Sequence, residues 1–170
     1  MSSLSTVARQ DVQPLSKRRQ WLYKHIIKAI SVVNIWVFRV SRGRIGGHIP
    51  SEAPILLLTT KGRKSGQPRT APLLYIEHDG ALVVVASYAG LSHYPLWYWN
   101  LVTNPEAAVE LAGEKRRVKA RRATAAEEAV LWPKLVAACQ RYTIYRRRTE
   151  REFPVMILTA DLPREMGSSY

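Results

Sequence analysis

Residues 53–87 read APILLLTTKGRKSGQPRTAPLLYIEHDGALVVVAS, and turn signals cut them into three strands. Residues 53–60 (APILLLTT) are a short apolar run of the length expected for a buried strand. The basic, turn-rich loop KGRKSGQP (61–68) follows, and residues 69–76 (RTAPLLYI) make a second strand. His78-Asp79-Gly80 is a hairpin turn, Asp-Gly being the strongest short signal for one. Residues 81–87 (ALVVVAS) form a third strand, apolar enough to be central.

Further along, residues 94–103 (YPLWYWNLVT) predict a helix, with Pro95 near its first turn and Asn104-Pro105 ending it. Residues 106–111 and 114–122 predict a second hairpin around Ala112-Gly113. Thr124-Ala125-Ala126-Glu127 is a capping box opening a helix to about Ala138, which Pro133 is expected to kink or break. Residues 139–152 read as irregular or helical, and residues 153–160 (FPVMILTA) as a last apolar strand. The tail after Asp161 is expected to fray. Several short antiparallel strands with few helices predict an α+β, mainly β fold: a small barrel with helices on its outside. No strand leads into GxGxxG, so a dinucleotide-binding Rossmann unit is not supported.

Upstream, residues 1–18 are polar and aperiodic, and predict a disordered basic tail. Residues 19–40 (RQWLYKHIIKAISVVNIWVFRV) predict an amphipathic helix, with Leu22, Ile26, Ala29, Ile30, Val33, Val37 and Val40 at three- and four-residue spacings. Two readings stay open for it: an interfacial membrane helix, or a helix packing its apolar face on the domain. Residues 41–52 are a linker, and residues 41–170 make up the barrel domain that it opens. His48, in the linker, is read as solvated.

The chain has 170 residues and a formal charge of +13, with 26 Lys+Arg against 13 Asp+Glu. Residues 1–51 carry nine basic residues and one acid. Such a surface suits nucleic acid, anionic lipid or an anionic small molecule. The basic runs 115–122 and 146–148 match no nucleic-acid signature, so no nucleic-acid partner is expected. They read instead as a solvated strand edge or helix face. A single cysteine, Cys139, excludes a disulfide framework and multi-Cys metal sites, and favours a reducing compartment. Four scattered histidines and the absence of HExxH and GxSxG argue against metal or triad catalysis, so an enzyme built on this chain needs a cofactor for its chemistry.

Two constellations could bind or react. The loop at 62–69 offers Arg63, Lys64 and Arg69 as charge-assisted donors, the Ser65 hydroxyl, and glycines that let backbone N–H groups approach an anion. It lacks P-loop spacing. Tyr142 and Tyr145, three apart, share a helix face and could orient or protonate a carbonyl or nitro oxygen, or simply pack.

The run LLLTTKGRKSGQPR (56–69) resembles the leading signature of the deazaflavin-dependent nitroreductase and quinone reductase family, whose members use reduced coenzyme F420. Pro72-Leu73-Leu74-Tyr75, Val85-Ala86-Ser87, the run 95–101 with Asn104-Pro105, and residues 142–154 agree in order and spacing. The resemblance covers roughly residues 33–160. It implies a split β-barrel of the kind that binds flavin mononucleotide (FMN), and hydride transfer from the reduced deazaflavin to a quinone-like or nitro acceptor. It implies that Arg63, Lys64, Ser65, Gly66, Gln67 and Arg69 hold the coenzyme's phosphodiester and polyglutamate tail. Tyr75, Ala86, Ser87, Trp97 and Asn100 match positions in or near the deazaflavin pocket, and Ser87, Tyr142 and Tyr145 are the candidate catalytic residues. Tyr88, Ala71 and Cys139 depart from residues that relatives carry there, Cys139 replacing a pocket tyrosine. The resemblance also gives the N-terminal helix a purpose at the inner face of the cell membrane of a cytoplasmic enzyme. An FMN-dependent split-barrel oxidoreductase and a non-catalytic basic membrane- or nucleic-acid-binding module are the alternatives.

Overall fold

The computed structural model describes residues 16–41 and 53–161. The expectations for most of the N-terminal tail, for the linker with His48 and for the C-terminal tail lie outside those residues. In chain order the elements are α1 (Lys17–Val40), β1 (Ile55–Lys61), β2 (Pro68–His78), β3 (Ala81–Val85), a short turn (Tyr88–Gly90), α2 (Leu96–Thr103), β4 (Glu106–Leu111), β5 (Glu114–Arg122), α3 (Ala125–Ala138), α4 (Arg141–Arg146) and β6 (Val155–Ala160). The six strands close an antiparallel barrel in the order β1-β2-β3-β6-β5-β4.

Period-two alternation builds two cores from these strands. Leu56, Leu58, Val84, Ala86, Val118, Ala120, Met156 and Leu158 point into the barrel, where Trp97, Tyr98 and Leu101 of α2 fill its interior. The alternate residues Val83, Val85, Val155 and Ile157 point outward and are covered by Leu131, Leu135, Cys139, Tyr142 and Phe153. β3 and β6 are therefore buried on both faces, which is why ALVVV and VMIL are apolar without alternation.

β2 is longer than its apolar run because it changes partners. It pairs with β1 over Pro68 to Leu74 and with β3 only from Tyr75 to His78. Beyond the Tyr75–Val84 pair the two strands part: β2 runs on with β1, while Val85 and Ala86 follow β6. This divergence is the split of the barrel.

Three expectations need correction. The basic run 115–122 is not a sheet edge: β5 pairs with β4 on one side and β6 on the other, and its cations lie on the solvated outer face while Val118 and Ala120 face inward. Pro133 does not break its helix. α3 is one helix with the proline inside it, because Leu131 and Leu135 anchor the segment in the outer core on either side of the missing N–H bond. At the N-terminus, Lys17 and Arg18 are helical, since Ser16 caps α1 by accepting from the Arg19 N–H.

The α3 capping box forms as read from the sequence. Thr124 N–H donates to Glu127 Oε2 at 2.8 Å, and Glu127 N–H donates to Thr124 Oγ1 at 3.3 Å. Arg121 clasps the same carboxylate at 2.6 and 2.8 Å. The Arg121 hydrogen bond, then the Thr124 backbone, hold the Glu127 carboxyl at about 2 against an ordinary 4.5. A depressed carboxyl stabilises the fold above its unfolded value and loses that contribution as pH falls through the folded one. Thr124→Ala should therefore cost about 1 kcal/mol in urea denaturation at pH 7. The Glu127 contribution should fade between pH 4.5 and 2.

Candidate functional site

The loop between β1 and β2 is held in one shape. Gly62 N–H donates to the Gln67 carbonyl at 2.8 Å and Gly66 N–H to the Gly62 carbonyl at 2.7 Å. A Cβ on Gly62 would lie 2.9 Å from Ser65 Oγ and 3.0 Å from the Gln67 oxygen, so a side chain there would push on the turn. From below, Asn100 of α2 accepts from the Arg63 backbone N–H at 3.1 Å and donates to Thr60 Oγ1 at 2.9 Å. Asn100 is 5% exposed. Its amide is thus a strut under the loop, bridging α2 to β1.

On that rigid frame Arg63, Lys64, Ser65, Gly66, Gln67 and Arg69 are exposed. The Arg63 guanidinium lies 5.6 Å from the Trp99 ring centroid. Arg39, Arg116, Arg121 and Arg122 each pair with a glutamate. Among the described residues no acid pairs with Arg63, Lys64 or Arg69. Three unneutralised cations on a fixed turn, with a hydroxyl between them, fit a phosphate or carboxylate.

The second part of the site is where β3 ends at the split. Ala86 is fully buried and Ser87 is 9% exposed. The Ser87 hydroxyl has no hydrogen-bond partner among the described residues. Directly after it, Tyr88 and Ala89 adopt φ of 45° and 53°, followed by Gly90 at 76°. Left-handed backbone at two non-glycine residues is uncommon and persists only where surrounding contacts impose it. Arg148 Nη1 donates to the Ala89 carbonyl at 3.3 Å. Arg151, which the sequence reading did not single out, donates to the carbonyls of Ala86, Ser87 and Leu91. Nearby, burial pushes the Tyr88 phenol up. Burial, then the charges of Lys24 and Arg151, push His93 down, which favours its neutral ring.

The tyrosines divide. Tyr142 is 4% exposed and packs in the outer core, its ring 6.0 Å from Trp132 and 6.4 Å from Tyr145. Tyr145 is half-buried, with the Arg148 guanidinium 5.5 Å from its ring centroid. Burial raises its phenol, opposed by a hydrogen bond from Arg141. Its backbone abuts Gly90, so it borders the strained turn. Tyr75 sits where β2 leaves β3, half-buried against the barrel core. Burial, then Glu77, raise its phenol, and Arg116 opposes them. With Tyr142 and Cys139 it lines a shallow apolar crevice too tight to admit a water molecule. Trp97 lies inside the barrel.

The structure therefore joins Asn100 to the cationic loop and Tyr145 to the Ser87 corner. It keeps the loop and Tyr142 apart, since Pro68 and Leu74 at the two ends are about 20 Å apart along β2. A ligand touching both must be long.

The profile of the F420H(2)-dependent quinone reductase family matches residues 31–160. The F420H(2)-dependent quinone reductase Rv1261c of Mycobacterium tuberculosis is 36% identical over 143 residues, 82% of this chain and 96% of that protein. A solved F420-H2 dependent reductase, FDR-A, is 35% identical with a TM-score of 0.57, covering 63% of this chain and 95% of its own. A solved chain described as a domain-swapped dimer is 29% identical with a TM-score of 0.58, covering 84% and 99%.

Proposed function

We propose, because this chain belongs to the F420H(2)-dependent quinone reductase family, that it is a reductase binding reduced coenzyme F420 across the split of its barrel and acting on a quinone-like or nitro acceptor. The observation that carries this reading is the cationic loop braced by Asn100: three unpaired cations on a turn fixed before any ligand arrives. Arg63, Lys64 and Arg69 would hold the anionic tail, with Ser65, Gly66 and Gln67 adding hydroxyl, backbone and amide donors. Tyr75, Ala86, Trp97 and Asn100 would line or support the ring end. When bound, the reduced coenzyme supplies a hydride, and the acceptor leaves as its two-electron-reduced form after taking up a proton. The Ser87 hydroxyl, unpartnered and nearly buried, would orient the acceptor oxygen, with Tyr145 and Tyr142 as the further hydroxyl donors. A phenol held above its ordinary pKa stays protonated at neutral pH, so Tyr145 keeps a proton to donate.

Titrating the protein into oxidised coenzyme F420 and following its fluorescence, with FMN in parallel, tests this. Saturable binding of the deazaflavin alone is expected. Binding of FMN alone, or of neither, would refute it. Tyr145→Phe should then lower turnover with coenzyme affinity unchanged.

The helix α1 extends the proposal to a location. It lies on β2 through a minor face in which Phe38 is 2% exposed, and it is tied at its ends by Ser92 to Gln20 and by Arg39 to Glu110. The stripe Leu22, Ile26, Ile30, Val33, Trp36 and Val40 faces outward instead. Next to it stand the exposed cations Lys17, Arg18, Arg19 and Lys24. No described helix is long and apolar enough to cross a membrane. A basic helix with its apolar stripe turned away from its own domain suits an anionic lipid surface, at about 1 kcal/mol per cation near it. The reading is of a cytoplasmic enzyme resting on the inner face of the membrane. In sedimentation with phosphatidylglycerol vesicles, the protein should pellet, and Ile30→Asp with Trp36→Asp should abolish pelleting. Concentration-dependent dimers lost in the same variant, without vesicle binding, would assign the stripe to a second copy.

A further inference from the structure

We propose that Arg151 is the positioning residue for Ser87: by capturing its carbonyl, Arg151 turns the Ser87 hydroxyl and the following Tyr88 N–H toward the acceptor. The inference rests on the reading above and adds a residue to it.

Four guanidinium N–H groups of Arg151 are spent on backbone carbonyls. Nε donates to Leu91 at 2.7 Å, and Nη1 donates to Ala86 at 2.9 Å and to Glu152 at 3.0 Å. Nη2 donates to Ser87. The rings of Tyr94 and Phe153 flank the guanidinium, each centroid 4.8 Å from its central carbon. No carboxylate pairs with it among the described residues, unlike the four arginines on the barrel's outside. Burial lowers its pKa to about 10, so it stays charged at neutral pH.

The geometric consequence follows from peptide planarity. All peptide bonds here are trans, so the Ser87 C=O and the Tyr88 N–H point in opposite directions. With the carbonyl drawn to Arg151, and also accepting from Gly90 N–H at 3.0 Å, the Tyr88 N–H points away from both. Among the described residues neither that N–H nor the Ser87 hydroxyl has an acceptor. A nearly buried hydroxyl without a partner is costly unless a ligand supplies one. Two donors side by side, with a fixed cation behind them, are the arrangement that stabilises negative charge growing on an oxygen. The strained φ at Tyr88 and Ala89 is what this orientation requires, and the Arg151 and Arg148 bonds hold it. A tether alone needs no charge. The fork of a guanidinium fixes several carbonyl directions at once, which lysine cannot do.

The test is a double-mutant cycle with Arg151→Lys and Ser87→Ala, assayed with a soluble quinone. Each variant's coenzyme affinity is measured by fluorescence and its melting temperature recorded. Arg151→Lys should lower kcat about 30-fold, with acceptor KM and coenzyme Kd within about threefold. The double variant should be no slower than Arg151→Lys alone, since Arg151→Lys already misdirects the hydroxyl that Ser87→Ala removes. Additive losses, wild-type kcat in Arg151→Lys, or losses that follow the melting temperature would overturn the assignment. If Arg151→Lys does not fold, Arg151→Gln, which keeps two N–H donors on a neutral amide, takes its place in the cycle and is read by the same criteria. Failure of the wild-type chain to bind the coenzyme would instead overturn the functional reading itself.

Discussion

Substituting Arg63 and Lys64 together by alanine should weaken binding of oxidised coenzyme F420 by about 100-fold at low salt. Each charge-assisted hydrogen bond to a phosphate contributes about 1.5–3 kcal/mol, and both side chains are exposed, so the lower end applies. The loop itself should survive, because Asn100 grips it through the backbone N–H of Arg63, which alanine retains. The gap between wild type and variant should shrink as salt rises, since a Debye length of about 10 Å at 0.1 M screens exposed charges. Fluorescence titration across a salt series reads both effects. Asn100→Leu is the complement: it keeps every cation but leaves Thr60 Oγ1 and the Arg63 N–H without their partner. It should weaken binding with little salt dependence. Affinity of the double variant that matches wild type at all salt concentrations would dismiss the loop as an anion cradle.

What the sequence made legible, and what it hid, follows the range of the interactions. The β4–β5 hairpin and the start of α3 were readable to the residue because their causes are local: a turn at Ala112-Gly113, and a capping box spanning three residues. β3 was readable as a central strand and β6 as an apolar one because burial on both faces removes polar residues from them. The cations Arg63, Lys64 and Arg69 were readable as one exposed group, since the glycines that bend the loop stand beside them in the sequence. The direction of α1 was not. Its apolar stripe suited a lipid surface and the domain alike, and the barrel takes the face carrying Phe38 and leaves the stripe outside. Neither Asn100 nor Arg151 could be assigned its task from the chain alone. Asn100 reaches 37 and 40 residues back, and Arg151 reaches carbonyls 60 to 65 residues away. Backbone carbonyls carry no sequence signal, so an arginine that binds only carbonyls looks like any surface arginine. The strained turn is hidden for the same reason: Tyr88 and Ala89 are not residues that advertise left-handed backbone, and their conformation is imposed by these distant contacts.

Gly90→Ala should destabilise the protein strongly. Gly90 has φ of 76°, and an added Cβ would stand 2.6 Å from the Tyr145 oxygen, 3.0 Å from Arg148 Cβ and 3.1 Å from Tyr145 Cα. Two of those three atoms are backbone, the carbonyl oxygen and Cα of Tyr145, and the third is a Cβ, so no rotamer change relieves the contact and α4 must move. Left-handed backbone costs alanine about 1 kcal/mol and overpacking adds about 1–3, for a total near 2–4 kcal/mol. At this size that lowers the melting temperature by about 5–15 °C. Gly80→Ala is the matched control, with φ of 74° and nothing within 4 Å of the new methyl. It should cost only the conformational part, so the difference between the variants measures how hard α4 presses on the turn. That pressure bears on function, because Tyr145 and the Tyr88–Ala89 strain meet at this contact. If α4 yields without unfolding the chain, Gly90→Ala should slow acceptor turnover while the β1–β2 loop still binds coenzyme at wild-type affinity. Equal melting temperatures for the two variants would mean that α4 is free to retreat, and that the turn keeps its shape without it.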